Sequence, residues 1–520
     1  MKIWFDSTRY LSIEAQDDTD CSCDGTSGLI HAADSSLVSS FSCVPGQEDL
    51  SRLVAQHLYL VPELYMQPCG NAGWLVCDPT GTGQIAVLDA SAFVLLQSFQ
   101  DASGRQIGPG DELQAISLFM TLGFLHQGNT PVVQANSAGR ETLFAWIHLT
   151  NACNLRCHYC YIAKSSEHMA DKTSQLAVDA VIRSAVKEGY RSVELSYAGG
   201  EASLRLPELL ALHDYAVQQT SEHGLRLSAR LLSNGVALTR RAIEQIKQRR
   251  IRLMISLDGI GAIHDQQRPL LNGQGSFALV ERTIERLLEQ QLVPSINVTV
   301  SARNLAALPE LLAYILEREL PFTLSYYREN ACSASSPDLA YSENEMILGM
   351  RKAFSYIEEH LPKRSLFNGL IDKGNMSSRG SHVCGVGRNY LVIDQRGGVA
   401  KCHADITKTI TTINVENPLA VINRDRSGVQ AVPVEDKEGC RTCTWRSWCR
   451  GGCPTLTYRL TGRNDIRSPN CGIYQAIFPD VLRLEALRLL KYESPMIVGQ
   501  YLPTDGVLAC STTQSGREMR

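Results

Sequence analysis

The amino-acid sequence predicts an α/β protein built on a partial (β/α)6 barrel, with a small α+β unit before it and a cysteine-rich region after it. Three observations predict this. From about residue 144 to 330, short apolar runs alternate with amphipathic helical patterns, as repeated βα units feeding a parallel sheet would. Of 17 cysteines, three fall at 153–160 and seven between Cys384 and Cys471, while the other seven are scattered. The sequence's least strand-like residues follow the strand runs, at the ends where barrels of this kind keep their chemistry.

In chain order, residues 15–45 are rich in Ser, Asp and Gly and read as a loop or arm. The segment "GWLVCDPTGTGQIAVLDASAFVLLQSFQ" (73–100) reads as two strands about a Gly-rich turn and then a helix, and "DELQAISLFMTLGFL" (111–125) as a second helix. Cys21, Cys23, Cys43, Cys69 and Cys77 have no metal-site spacing and read as small buried hydrophobes. Six strands follow: "FAWIHLT" (144–150), "SVELSYAGG" (192–200), "LSARLLSNG" (227–235), "RLMISLDG" (252–259), "PSINVTV" (294–300) and "FTLSYYR" (322–328). Helical stripes at 174–189, 206–222, 239–249, after Ser276 and at 304–319 separate them. In the fourth of these, Phe277, Val280, Ile284, Leu287 and Leu288 share one face opposite Glu281, Arg282, Glu285 and Arg286. Right-handed crossovers joining six such units give a partial TIM-type barrel.

A length of 520 residues predicts two or three domains. A balance of 50 basic and 54 acidic residues gives no electrostatic case for nucleic acid or acidic lipid. The N-terminus has no apolar signal region and no apolar run is long enough to span a bilayer. A cytoplasmic protein is expected, and in that compartment clustered thiols point to metal or catalysis rather than disulfides.

Cys153, Cys157 and Cys160 stand at spacings of four and three after the first strand. "GGE" (199–201), "SNG" (233–235) and "SLDG" (256–259) follow the next three. Each alone is compatible with a turn, but all four lie on one face of the barrel. Three thiolates can hold zinc or an iron-sulfur cluster, or be structural. Structural zinc favours two closed pairs of ligands, whereas a compact triplet on a four-iron cluster leaves one iron open.

"CNLRCHYC" (153–160) resembles the signature of the radical S-adenosylmethionine (SAM) superfamily, with Tyr159 as its aromatic. The resemblance implies that Cys153, Cys157 and Cys160 hold a [4Fe-4S] cluster whose open iron binds SAM, the source of a 5′-deoxyadenosyl radical. It further assigns Gly199, Gly200 and Glu201 to the methionine amine, and sets Ser233, Asn234, Ser256 and Asp258 near the ribose and methionine carboxylate, with Arg268 nearby.

The second group reads C-x12-G-x4-C from Cys384 to Cys402, then C-x2-C-x5-C-x3-C-x17-C from Cys440 to Cys471. Zinc remains open for this region taken alone, since C-x2-C pairs also build zinc ribbons. The whole pattern is similar to the SPASM extension of radical SAM enzymes, the twitch-type domain that carries auxiliary clusters. That resemblance implies one [4Fe-4S] cluster on Cys440, Cys443, Cys449 and Cys471 and another on Cys384, Cys402 and Cys453. The second lacks an upstream fourth cysteine, leaving an open iron or a site completed by Cys332 or His382. Sulfatase maturases carry an Asp directly after the position of Cys402; here His403 stands there and Asp405 two residues on, and these are the candidate catalytic bases.

The expected domains are an N-terminal unit (1–140), the barrel (141–335), a helical linker (336–380), the auxiliary-cluster region (381–490) and a tail (491–520). The N-terminal strand-strand-helix-helix order resembles the winged-helix element with which peptide-modifying enzymes grip a leader peptide. The implied function is a maturase that oxidises a ribosomally made peptide or protein and installs a thioether or carbon-carbon cross-link, fed electrons by a flavodoxin or ferredoxin. Oxidation of a small molecule by the same chemistry, or a non-enzymatic zinc scaffold, are the alternatives.

Overall fold

The computed structural model describes residues 1–6, 50–81, 83–128, 141–333 and 335–498. The Ser-rich arm, with Cys21, Cys23 and Cys43, lies outside them.

The N-terminal elements are β1 (Lys2–Phe5), β2 (His57–Leu60), β3 (Tyr65–Pro68), β4 (Trp74–Cys77), β5 (Ile85–Leu88), α1 (Ala90–Gln97), β6 (Arg105–Gln106), α2 (Leu113–Thr121) and β7 (Leu125–Gln127). The strand, strand, helix, helix order read at 73–125 is β4, β5, α1 and α2. Antiparallel pairing sets β1, β5, β4 and β3 side by side, and β6, β2 and β7 form a smaller sheet. Successive side chains of a strand face opposite ways, so this sheet has two apolar sides. Val76, Ala86 and Leu88 pack on Phe93, Leu96 and Phe119, and the Trp74 and Phe93 rings stack at 4.1 Å. Leu75, Cys77, Ile85 and Val87 face the main core. Asp89 starts α1, its Oδ1 accepting from the Ala92 N–H at 2.8 Å.

The barrel runs β8 (Thr142–His148), α3 (Asp171–Glu188), β9 (Ser192–Ala198), α4 (Leu206–Glu222), β10 (Arg226–Ser233), α5 (Arg240–Gln248), β11 (Arg252–Ser256), α6 (Ala262–Gln267), α7 (Phe277–Glu289), β12 (Ser295–Val300), α8 (Leu308–Glu317) and β13 (Phe322–Tyr326). Neighbouring strands from β8 to β13 are all parallel, giving the partial (β/α)6 barrel. Outward residues such as Leu143, Ile147, Val193 and Leu195 meet the helical stripes, including Val280, Ile284 and Leu287, in one core. Gly189, in the left-handed region at φ 73, ends α3.

Many of the inward residues are polar, beside an apolar patch of Phe144, Trp146 and Ala198. Glu194 pairs with Arg230 and, at 2.7 Å, with Arg252, while Asn297 Oδ1 accepts from Thr323 at 3.3 Å and Ser325 at 3.1 Å. The barrel is therefore dry on its helical side and hydrogen-bonded within.

Beyond it lie α9 (Glu343–Glu359), β14 (Tyr390–Ile393), β15 (Gly398–Ala400), β16 (Thr409–Thr412), α10 (Pro418–Arg424), α11 (Pro454–Thr461), α12 (Cys471–Tyr492) and β17 (Met496–Ile497). β14 pairs in parallel with β8, and β15 and β16 follow antiparallel, so the barrel sheet continues to nine strands. β17 pairs with β1, so the chain returns to its own N-terminal sheet. Among the described residues no helix is long and apolar enough to cross a membrane.

Candidate active site

The loop after β8 carries Cys153, Cys157 and Cys160, and it is clamped onto the end of β9. The Gly200 N–H donates to Thr150 O at 2.6 Å and the Glu201 N–H to Ala152 O at 2.9 Å. A Cβ on Gly199 would stand 2.5 Å from Thr150 O, and one on Gly200 2.4 Å from Ala152 O. The two glycines are there because backbone meets backbone. Glu201 is buried and draws the third strand end in: Oε1 accepts from the Ser203 N–H (3.1 Å) and Ser233 Oγ (2.9 Å), Oε2 from the Asn234 N–H (2.6 Å). Asn234 Nδ2 in turn donates to Asn154 Oδ1 at 2.7 Å and points at Cys153 Sγ, 3.8 Å away.

Tyr159 continues the closure toward the fourth strand end. Its hydroxyl donates to Asp258 Oδ2 at 2.7 Å and receives a hydrogen bond from Arg268 Nη1, which also lies 3.5 Å from Asp258 Oδ2. Asp258 is fully buried and its Oδ1 accepts from the Thr299 N–H at 2.7 Å. Ser256 closes β11 opposite Asn297. Thus Cys153–Cys160, Gly199–Glu201, Ser233–Asn234 and Asp258–Arg268 form one hydrogen-bonded end of the barrel. Burial pushes the Cys157 thiol up to about 12, against the pull of the Arg268 guanidinium. Lys164 Nζ stands 3.1 Å from Cys160 Sγ.

On the inner face of β8, Trp146 stacks on His403 at 4.5 Å. The Tyr161 ring lies 5.7 Å from His403, and the Tyr390 hydroxyl is 3.2 Å from His403 Nδ1. Asp405 is engaged otherwise, paired with Arg459 at 2.8 Å and Lys408 at 3.4 Å. Trp146 Nε1 and His148 Nδ1 are buried without a partner among the described residues. Burial lowers the His148 pKa, and its Nε2 meets Asn151 Oδ1 at 2.7 Å, so the ring is neutral with a bare Nδ1. A donor and an acceptor, two residues apart on the inner face, suit a polar guest.

In the second cysteine group, one set of four shares a cavity. Cys440, Cys443, Cys449 and Cys471 line one cavity with Trp445, Tyr474 and Phe478. Cys384 and Cys402 are buried with Phe144, Trp146, Tyr390 and Val392 against the barrel, and Cys453 precedes α11 as its N-cap residue. Cys332 is exposed beside the first cysteine loop, with its Sγ 3.6 Å from Tyr161 O. His382 is half-buried, and burial together with Arg388, Lys437 and Arg450 pulls its pKa down to about 4. At the end of β13, Tyr326 packs into the main core and stacks on Tyr474 at 6.1 Å, the Tyr327 hydroxyl meets Ser333 Oγ at 2.8 Å, and Arg328 pairs with Asp372 at 2.5 Å, which also accepts from the Tyr474 hydroxyl at 3.3 Å.

Sequence reasoning missed Trp146, His148, Lys401 and Lys437, since a single aromatic or basic residue carries no spacing. Lys401 is buried beside Cys402 and donates to the carbonyls of Asp425 (3.2 Å), Ser427 (2.7 Å) and Val429 (3.1 Å).

The donor sets fit iron-sulfur clusters. Burial pushes Cys440 up to about 11 and Cys449 up to about 12; metal ligation relieves this cost, because it takes the proton's place. Among the described residues, no three His, Cys, Asp or Glu converge as ligands of one ion would. Thiolates that each take a different iron stand further apart.

Residues 147–305 match the family profile of the Radical SAM superfamily. An uncharacterized protein of Methanocaldococcus jannaschii is 27% identical over 171 residues, which are 33% of this chain and 57% of that protein. The cysteine-type anaerobic sulfatase-maturating enzyme of Clostridium perfringens is 22% identical over 329 residues, 58% of this chain and 86% of the enzyme. The solved structure of native anSMEcpe with bound AdoMet and the Cp18Cys peptide aligns at a TM-score of 0.50 and 15% identity, over 66% of this chain and 98% of that one. That likeness is one of fold.

Proposed function

Starting from a chain whose residues 147–305 form a radical SAM domain, we propose that it is an oxidoreductase that modifies a ribosomally made peptide or protein. It takes a hydrogen atom from a side-chain or backbone carbon, and the outcome is an oxidative change, a thioether or carbon-carbon cross-link. The observation that carries this reading is the gathering of the cysteine loop, Gly199–Glu201, Ser233–Asn234, Asp258 and Arg268 at one end of a barrel with a polar interior.

Cys153, Cys157 and Cys160 would hold the SAM-binding [4Fe-4S] cluster, and the Cys440 and Cys384 groups two auxiliary ones. When bound, SAM and its cluster supply a 5′-deoxyadenosyl radical able to take hydrogen from unactivated carbon. The backbone and carboxylate of Glu201 are suited to the methionine amine. Asp258 and Arg268, held by Tyr159, are suited to the polar ends of the cofactor. A cross-link removes two hydrogens from the substrate, one as an atom and one as a proton and an electron. His403, clamped against Trp146, is suited to accept that proton.

The N-terminal unit would grip the substrate's leader. Among the described residues β3 has a strand neighbour on one side only, and an extended peptide can add there through backbone hydrogen bonds. Tyr65 on β3 packs on Trp445 at 4.9 Å, beside Cys443, which ties that edge to the auxiliary region. The peptide held by the solved relative of like fold supports a peptide substrate here. A flavodoxin or ferredoxin would supply the electron.

Two measurements test the reading. Roughly twelve irons per chain should bind anaerobically, falling by about four when Cys153, Cys157 and Cys160 are all replaced by Ala. With a deuterated substrate, label must move into 5′-deoxyadenosine; full turnover without label transfer would sink the proposal.

A further inference from the structure

Lys437 lies in the turn before Cys440, whose N–H donates to its carbonyl at 3.1 Å, and it is 2% exposed. Its side chain runs against Gly451: a Cβ there would stand 2.6 Å from Lys437 Cδ and 2.9 Å from its Nζ. Gly451 belongs to the short turn between Cys449, of one auxiliary group, and Cys453, of the other, and has a φ of +79°. The ammonium thus occupies the seam between the two groups, in space that only glycine leaves open.

The charges around it agree with that position. Burial pulls the Lys437 pKa down, and the thiols of Cys440, Cys384, Cys449 and Cys453 oppose this. The contrast with Lys401 is instructive, since that buried lysine has three carbonyls and, at 2.6 Å, Asp425. A buried ammonium calls for a counter-charge. Thiolates ligating iron would supply the counter-charge that neutral thiols do not.

We infer that Lys437 is a positioning charge shared by the two auxiliary cysteine groups, raising the reduction potentials of both clusters together. This rests on reading those groups as cluster ligands. Reduction adds one electron to a cluster and makes or breaks no bond. A nearby positive charge favours the more negative reduced state. Because it sits at the seam, it moves both potentials in the same direction and leaves the difference between them largely unchanged.

The test uses the full chain, reconstituted anaerobically, as wild type, Lys437→Met, Lys437→Gln and Lys437→Arg. Iron and sulfide are counted first, and each cluster is then titrated against potential by EPR. The neutral variants should keep their iron and show both auxiliary couples shifted negative, each reduction equilibrium weakened by about tenfold, or 59 mV for one electron. The SAM-binding cluster should not move, and Lys437→Arg should stay near wild type. Loss of auxiliary iron in both neutral variants, with retention in Lys437→Arg, also supports the counter-charge. Unchanged potentials, a shift in one couple alone, or loss of iron in all three variants overturns it. A wild-type chain without auxiliary iron would instead sink the reading on which it rests.

Discussion

Glycine at 199 and 200 is demanded by two carbonyl oxygens that leave no room for a Cβ. Gly200→Ala should therefore push the cysteine loop off the strand end. Bound iron should fall by about four per chain, the size of one cluster, while the auxiliary signals persist in EPR. Glu201→Gln keeps the volume but loses one acceptor oxygen, so SAM affinity should drop at least about tenfold, roughly 1.4 kcal/mol, with iron content unchanged; equilibrium dialysis reads the affinity directly. Both residues were legible, because "GGE" follows a strand run and stands opposite a thiol triplet. His148, Trp146 and Lys437 were not. What makes them unusual is an orphaned nitrogen or a buried charge, and these are properties of surroundings rather than of spacing.

Elements were legible where their period is strong. All six barrel strands and their helices appear within a few residues of the expected limits, because inward and outward faces and helical stripes are both written in the local pattern. The start of α9 is equally local: Ser342 Oγ accepts from the Glu345 N–H at 3.2 Å while Glu345 Oε2 accepts from the Ser342 N–H at 2.7 Å. Ser342→Ala should cost about 1 kcal/mol, read from denaturant unfolding. The strands β14, β15 and β16 escaped prediction. They are short and set among glycines, and what defines them is pairing: β14 on β8, Tyr390 opposite Phe144 across the chain, then β15 on β14 and β16 on β15. β17 is shorter still and exists only as a partner of β1.

At the scale of the whole molecule, buried histidines make stability depend on pH. His213 and His264 both have their pKa lowered from 6.5, chiefly by burial. For a base depressed on folding, the unfolded chain takes up more protons in the window below 6.5. Stability present above that pH is lost as the pH falls through it. His213 Nδ1 lies 3.2 Å from the Tyr197 hydroxyl, and His213→Gln removes the titration while keeping a polar partner. Thermal melts between about pH 7.5 and about pH 5.5 should show a smaller loss in the variant than in wild type.

Sequence alone determined the barrel and the two cysteine groups, since hydrophobic period and ligand spacing are local properties that survive without coordinates, and it pointed to the class of chemistry through the resemblance of "CNLRCHYC" to a known superfamily. Only the tertiary structure decided that the barrel sheet runs on through β14 to β16, that β17 closes the N-terminal sheet, and that His403 meets Trp146 across the chain. It alone brought Lys437 to the seam between Cys449 and Cys453. Those facts arise from contacts between residues far apart in the chain, where burial and electrostatics depend on what the fold brings near, and no local pattern records them.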